Sequence, residues 1–300
     1  MSAAETRAGW AGVDVSLVRG LLAAQFPAWA GLPLTPVDSA GTVNAMFRLG
    51  PDMAVRLPRV PGAARDIEKE ILWLPRLAPR LPVPIPVPLG RGEPGDDWPW
   101  PWSVHSWLDG DNPEPGRGPA EPLALARDLA GFVTALRRID PEGAPDAYRC
   151  ESLAARDDAT RTVIRELSGV VDTEAVTAAW DAALRAPAWD GPPVWIHSDL
   201  QPGNVLLSGG RLSGVIDFGC TGLGEPAVDL IAAWYLLPAE ARGTFRSAVD
   251  ADDATWARAR GWALSIALPE LRFLRESNPR MAAIARDVVG EILADRATTG

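Results

Sequence analysis

Residues 196–207 read Ile-His-Ser-Asp-Leu-Gln-Pro-Gly-Asn-Val-Leu-Leu, and residues 215–219 read Val-Ile-Asp-Phe-Gly. His197 thus stands two places before Asp199, Asn204 stands five places after it, and Asp217 opens an Asp-Phe-Gly triplet beyond a Gly-Gly pair. Phosphoryl transfer needs a carboxylate beside the attacking hydroxyl and hard oxygen ligands for magnesium, both fixed relative to a triphosphate. A loop between two strands can present Asp199 and Asn204 on one side, and the next strand can deliver Asp217 to the same cleft. The bland alternative is a polar hairpin loop followed by a chance Asp-Phe-Gly. Three features in this order and at these separations argue against it.

Other elements must hold these residues in place. The stretch PVWIHSDLQPGNVLLSGGRLSGVIDFG reads as strand, loop, strand, Gly-Gly turn and strand. Nearer the N-terminus, alternating runs at 45–49 and 53–57 flank Gly50-Pro51-Asp52, a hairpin signal, and Gly41 lies in a tight loop just before it. Apolar spacing predicts helices over 14–30, 64–78, 123–139, 173–185, 254–276 and 279–294, with Pro75 ending or kinking the second. Residues 81–89 (LPVPIPVPL) suit a connector or an edge strand, and a short strand over 102–108 closes at Gly110. The Pro-, Gly- and acid-rich segment 111–122 marks a boundary. The expectation is an α+β chain with a small β-rich lobe over 1–108 and a larger, mainly helical lobe over 109–300.

Composition narrows the partners. Net charge is −10, of which the first 110 residues hold −1 and the remainder −9. Such a chain repels phosphate-rich polymers, so nucleic acid is not an expected partner. Cys150 and Cys220 are the only cysteines and lie far apart, against a disulfide framework or a zinc site. No apolar run is long enough to cross a bilayer, and MSAAETRAGWAGVD does not read as a secretory signal. A cytoplasmic protein with no membrane partner is expected.

Over residues 194–235 the sequence resembles the aminoglycoside phosphotransferase family of the protein-kinase-like superfamily. HSDLQPGNVLL is close to that family's His-Gly-Asp-x-x-x-x-Asn loop, with Ser198 where glycine is usual. GVIDFGCTGLGEPAVDLIAAW continues the likeness through Gly222, Glu225, Pro226 and Asp229. It is weaker but ordered over 39–110. The resemblance implies a protein-kinase-like two-lobed fold, with a small antiparallel β-sheet N-lobe and a larger mainly helical C-lobe. It also implies transfer of the γ-phosphoryl of ATP or GTP to a hydroxyl, with Mg2+. Carried over by position, Asp199 is the catalytic base, Asn204 and Asp217 are magnesium ligands, His197 is a structural hydrogen-bonder, and Asp229 braces the loop from a helix start.

The same resemblance assigns a nucleotide site. Gly41, Thr42 and Asn44 fall in the nucleotide-positioning loop. Ser106 and Leu108 fall in the hinge that meets the purine, and His105 is the gatekeeper, read as a packed histidine. Arg56 stands where lysine is usual; it keeps the charge and can grip phosphate oxygens with a planar fork. Its acidic partner belongs on the next helix, where Glu68 and Glu70 are both candidates and the count back from LPRLAPRLPVPIP favours Glu70. The implied acceptor is an antibiotic-like small molecule, an aminoglycoside first, since the acidic C-terminal part suits a cationic ligand. A macrolide, a small metabolic alcohol, and a non-catalytic nucleotide-binding protein of this fold are the open alternatives.

Overall fold

The computed structural model describes residues 13–37, 43–114, 116 and 118–299. They form two compact units, one of Met1–Asp109 with Gly214–Gly219 and one of Gly110–Ser213 with Cys220–Gly300.

The first unit is organised by a five-stranded antiparallel sheet: β1 (Leu34–Pro36), β2 (Asn44–Leu49), β3 (Met53–Pro58), β4 (Pro88–Gly92) and β5 (Trp102–Ser106), in the order β1-β2-β3-β5-β4. Register sets Phe47 and Val104 on either side of Val55. Successive strand residues face opposite ways, so Phe47, Leu49, Val55, Leu57, Trp102 and Val104 collect on one face. Helix α1 (Val15–Gln25) covers that face with Val18, Leu21 and Leu22. Each such side chain contributes on the order of 1.5–3 kcal/mol when fully buried. The opposite face carries Asn44, Arg56, Ser103 and His105, all buried.

Local chemistry explains where these elements begin and end. Asp14 caps α1 by accepting the Leu17 N–H at 2.8 Å. The helix ends at Gln25, short of residue 30, because Pro27 disfavours helical backbone at Phe26. Gly50 turns the β2–β3 hairpin with φ of 61°, a conformation that suits glycine. Both edge strands carry a proline, Pro36 in β1 and Pro88 in β4, where a missing N–H costs the sheet nothing. Strand β5 stops at Ser106 and does not reach 108. Ser106 N–H turns to Val87 O at 2.9 Å and Trp107 N–H to Asp52 O at 2.7 Å. Helix α2 (Pro61–Leu77) starts on a proline and runs through Pro75, which neither ends it nor lies far from its end, so only one late hydrogen bond is lost.

The second unit is mainly helical: α3 (Pro122–Arg137), α4 (Asp157–Glu166), α5 (Thr173–Arg185), α6 (Ala232–Tyr235), α7 (Ala239–Ala248), α8 (Asp253–Phe273) and α9 (Pro279–Thr299). Two small antiparallel ladders complete it. One pairs β6 (Val194–Ile196) with β9 (Gly222–Gly224); the other joins β7 (Val205–Ser208) to β8 (Arg211–Val215) through Gly209-Gly210, both at positive φ. The last residues of β8 belong to the first unit, so this hairpin carries the chain from one unit into the other. Helix α8 is buried along most of its length, including Trp262. Neighbours approach α8 closely at Gly261, where a Cβ would stand 2.6 Å from Leu153 and 2.7 Å from Ala183. Helices α4, α6 and α7 lie outside the sequence-based expectation; α4 buries Thr160, Val163 and Ile164, and α7 buries Ala241, Arg242 and Phe245. No helix among the described residues is long and apolar enough to cross a membrane.

The sheet core offers a direct test of its packing. Gly92 faces Trp102 across β4 and β5, and a Cβ there would fall 1.9 Å from the indole ring. Gly92→Ala is expected to destabilise the protein by about 1–3 kcal/mol. Urea unfolding followed by tryptophan fluorescence measures it, and an unchanged midpoint would mean that the ring moves freely.

Candidate active site

The loop after β6 is held by one buried carboxylate. Asp229 lies in a short 3-10 turn, Val228–Ile231, and is fully buried. Its Oδ2 accepts the His197 N–H at 2.8 Å and its Oδ1 accepts the Ser198 N–H at 2.7 Å. Ser198 is thereby held at φ of 72°, left-handed backbone that costs a non-glycine residue about 1 kcal/mol or more. Hydrogen bonds to a charged group contribute about 1.5–3 kcal/mol each, so two of them outweigh that strain.

Asp199 follows, and every contact of its carboxylate is a donor. Asn204 Nδ2 donates to Oδ2 at 2.9 Å and to the Asp199 carbonyl, also at 2.9 Å. Gln201 Nε2 reaches Oδ1 at 3.1 Å and Arg149 Nη1 reaches it at 3.2 Å. The Asp199 N–H donates to His197 Nδ1 at 3.3 Å. The side chain keeps 23% of its surface exposed, enough for an incoming group to touch it.

Sequence reasoning missed Arg149, Gln201, Tyr235 and Glu270. Gln201 Nε2 also donates to Glu270 Oε1 at 2.8 Å, and the Tyr235 hydroxyl donates to Glu270 Oε2 at 2.9 Å. Burial pushes the Glu270 carboxyl up to about 7; the Asp199 charge adds to this, while Gln201, Tyr235 and Arg149 pull against it. Gln201 lay inside the motif as an unread position. No pattern marks the other three, of which Arg149 reaches Asp199 directly, Glu270 through Gln201 and Tyr235 through Glu270.

The first unit holds a second polar cluster. Arg56 Nη1 donates to Glu70 Oε2 at 2.5 Å, and its Nη2 lies 3.5 Å from Asp217 Oδ1. Burial alone would push the guanidinium down; Glu70, then Asp217, more than restore it, so Arg56 is held above its usual range. Glu68 pairs instead with Arg91, at 2.6 Å. Asp217 is itself left-handed, with φ of 62°, and nearly half exposed. Lys69, unnoticed as a site residue, donates to the carbonyl of Gly219 in the Asp-Phe-Gly triplet.

Around Arg56, Asn44 Oδ1, Glu70 Oε1, Ser103 Oγ and both His105 nitrogens have no hydrogen-bond partner among the described residues. Such atoms cost on the order of 1–3 kcal/mol each unless something meets them. His105 is pushed down to about 3 by burial, with Arg56 adding, and stays neutral. Ser106 Oγ accepts the Val87 N–H at 2.9 Å, and Leu108 follows β5 in a half-buried connection. Gly41 and Thr42 lie outside the described residues.

A family model described as "Phosphotransferase enzyme family" matches residues 35–262. No curated protein matches the chain. Among solved structures, the GDP complex of aminoglycoside 2'-phosphotransferase-IIIa superposes with a TM-score of 0.75 at 19% identity, covering 95% of this chain and 100% of that one. The streptomycin–ATP–APH(2'')-IIa ternary complex gives 0.61 at 17% identity over 91% and 98%. A macrolide 2'-phosphotransferase from Brachybacterium faecium gives 0.62 at 21% identity over 92% and 97%. At these identities the likeness is one of fold, the protein-kinase-like two-lobed kind.

The raised Glu270 carboxyl has a consequence for stability. Its pKa is higher folded than unfolded, so folding is favoured while it is protonated, and stability falls as pH rises from about 4.5 to about 7. Glu270→Gln should remove this loss: relative to wild type, the variant gains in Tm between pH 5 and pH 8. Parallel melting curves would count against the assignment.

Proposed function

The chain belongs to the phosphotransferase enzyme family, and from that premise we propose that it transfers the γ-phosphoryl of ATP or GTP to a hydroxyl of an antibiotic-like small molecule, most directly an aminoglycoside. The observation that carries this reading is the geometry of Asp199: a partly exposed carboxylate, oriented by Asn204, on a loop whose backbone is held by a buried aspartate.

In the proposed reaction Asp199 takes the proton of the acceptor hydroxyl as its oxygen attacks the γ-phosphorus. The bond to the β–γ bridging oxygen breaks and the nucleoside diphosphate leaves. Arg56, fixed by Glu70, grips phosphate oxygens in place of the usual lysine. Asn204 commits its Nδ2 to Asp199, which leaves Oδ1 as its other polar atom, and Asp217 offers an exposed carboxylate. Hard oxygen donors of this kind fit Mg2+, which would neutralise phosphate charge. Asn44, Ser106, Leu108 and the loop with Gly41 and Thr42 complete the nucleotide contacts in this reading.

For the acceptor, Glu270 joined to Asp199 through Gln201 supports an ammonium-bearing ligand, as does the acidic charge beyond residue 110. The solved relatives include a kanamycin complex and a streptomycin complex, and also macrolide enzymes, so a macrolide is the second reading. A non-catalytic nucleotide binder is disfavoured by an intact Asp199, Asn204 and Asp217.

Nucleoside diphosphate release is measured with ATP and GTP against panels of aminoglycosides, macrolides and small alcohols. Acceptor-stimulated release is expected with an aminoglycoside; none with any acceptor would overturn the reading. Asp199→Asn should lower turnover by about a hundredfold or more while nucleotide binding survives. Calorimetry should find weaker magnesium–nucleotide binding in Asp217→Ala. Arg56→Ala should raise the nucleotide KM and lower kcat, with Arg56→Lys in between; two silent substitutions would return Arg56 to a structural role.

A further inference from the structure

We propose that Arg149 is a positioning residue for Asp199 that decides which carboxylate oxygen receives the acceptor proton; this rests on the reading of Asp199 as base. Arg149 arrives from a loop strapped to the chain just beyond the Asp-Phe-Gly triplet. Leu223 N–H donates to Pro145 O at 2.8 Å, Ala147 N–H to Leu223 O at 3.0 Å, and Tyr148 N–H to Cys220 O at 3.0 Å. The straps run so close that a Cβ on Gly222 would stand 2.5 Å from the Ala147 nitrogen. The Tyr148 ring lies 5.4 Å from the guanidinium and flanks it.

From this mount Nη1 makes two contacts, one with the Ser198 carbonyl and one with Asp199 Oδ1 at 3.2 Å. Ser198, already strained into the left-handed region, is therefore held at both ends, its N–H by Asp229 and its C=O by Arg149. Asp199 is the next residue, so its direction is set by that clamp. A carboxylate oxygen accepts about two hydrogen bonds comfortably. Oδ1 has two donors, Arg149 and Gln201, whereas Oδ2 has one, Asn204. The remaining lone pair is on Oδ2, which becomes the oxygen that takes the proton. Arg149 also sets a cation against Asp199 and Glu270, the two carboxylates that Gln201 bridges.

The test is a double-mutant cycle on basal hydrolysis of ATP and GTP with magnesium, water serving as the acceptor. Arg149→Met, which keeps length without charge, is made in the wild-type and Asp199→Asn backgrounds. In the wild-type background it should lower kcat by about 10–100-fold while the nucleotide KM stays within about threefold, and Arg149→Lys should recover part of the loss. In the Asp199→Asn background it should be nearly silent, because it acts through the carboxylate that is gone. An equal loss in both backgrounds would make Arg149 merely structural and overturn the proposal, as would no loss in either. If Arg149→Met does not fold, Arg149→Lys is carried through the same cycle. Asp199→Asn hydrolysing like wild type would overturn the base reading itself, so the two failures are told apart.

Discussion

Backbone amide groups buried without partners are costly, and the loop between β6 and β7 has two of them side by side, at His197 and Ser198. Asp229 meets both with one carboxylate. Taking that charge out of water pushes its carboxyl up, and the two N–H bonds and Arg137 work against the rise. The arrangement forces Ser198 left-handed, and that turn in turn aims Asp199. Asn204, Gln201 and Arg149 then have a fixed carboxylate to address. Without Asp229 the loop has two unsatisfied donors and no reason to keep its turn.

The first unit solves a related problem with the opposite sign. Arg56 is a cation in the middle of a sheet, and burying it alone would cost several kcal/mol. Glu70 balances it from α2, and Asp217 adds a second, looser carboxylate. The apolar face of the same sheet, with Trp102 and Val104, packs under α1. In each unit a buried charged group thus supports one part of the Asp-Asn-Asp set, Asp229 through the loop backbone and Arg56 directly at Asp217.

How far these features could be read from sequence follows from how they are assembled. The loop and hairpin from His197 to Asp217 is one contiguous segment, so order and spacing exposed it. The β2–β3 hairpin was legible for the same reason, with alternation on both sides of a Gly-Pro-Asp turn. Arg149 and Glu270 meet the Asp199 network across 50 and 69 residues of chain, and no local pattern encodes such contacts. Counting from a proline-rich stretch separated Glu70 from Glu68, and in the folded chain the two point to different arginines. Helices α4 and α7 are short, ten residues each, and went unread although their buried residues fall at helical spacing, while Pro75 carried less weight than its residue type suggests because it falls at the end of α2.

The replacement of the usual lysine by Arg56 leaves the chain with one lysine, Lys69, hydrogen-bonded to the Gly219 carbonyl. A guanidinium is a poor nucleophile toward acylating reagents, so amine-directed labels would pass over Arg56. Apart from the terminal amine, they have a single place to react, on the helix beside the Asp-Phe-Gly triplet. One covalent tag, added without engineering, would therefore report on the segment that carries Asp217.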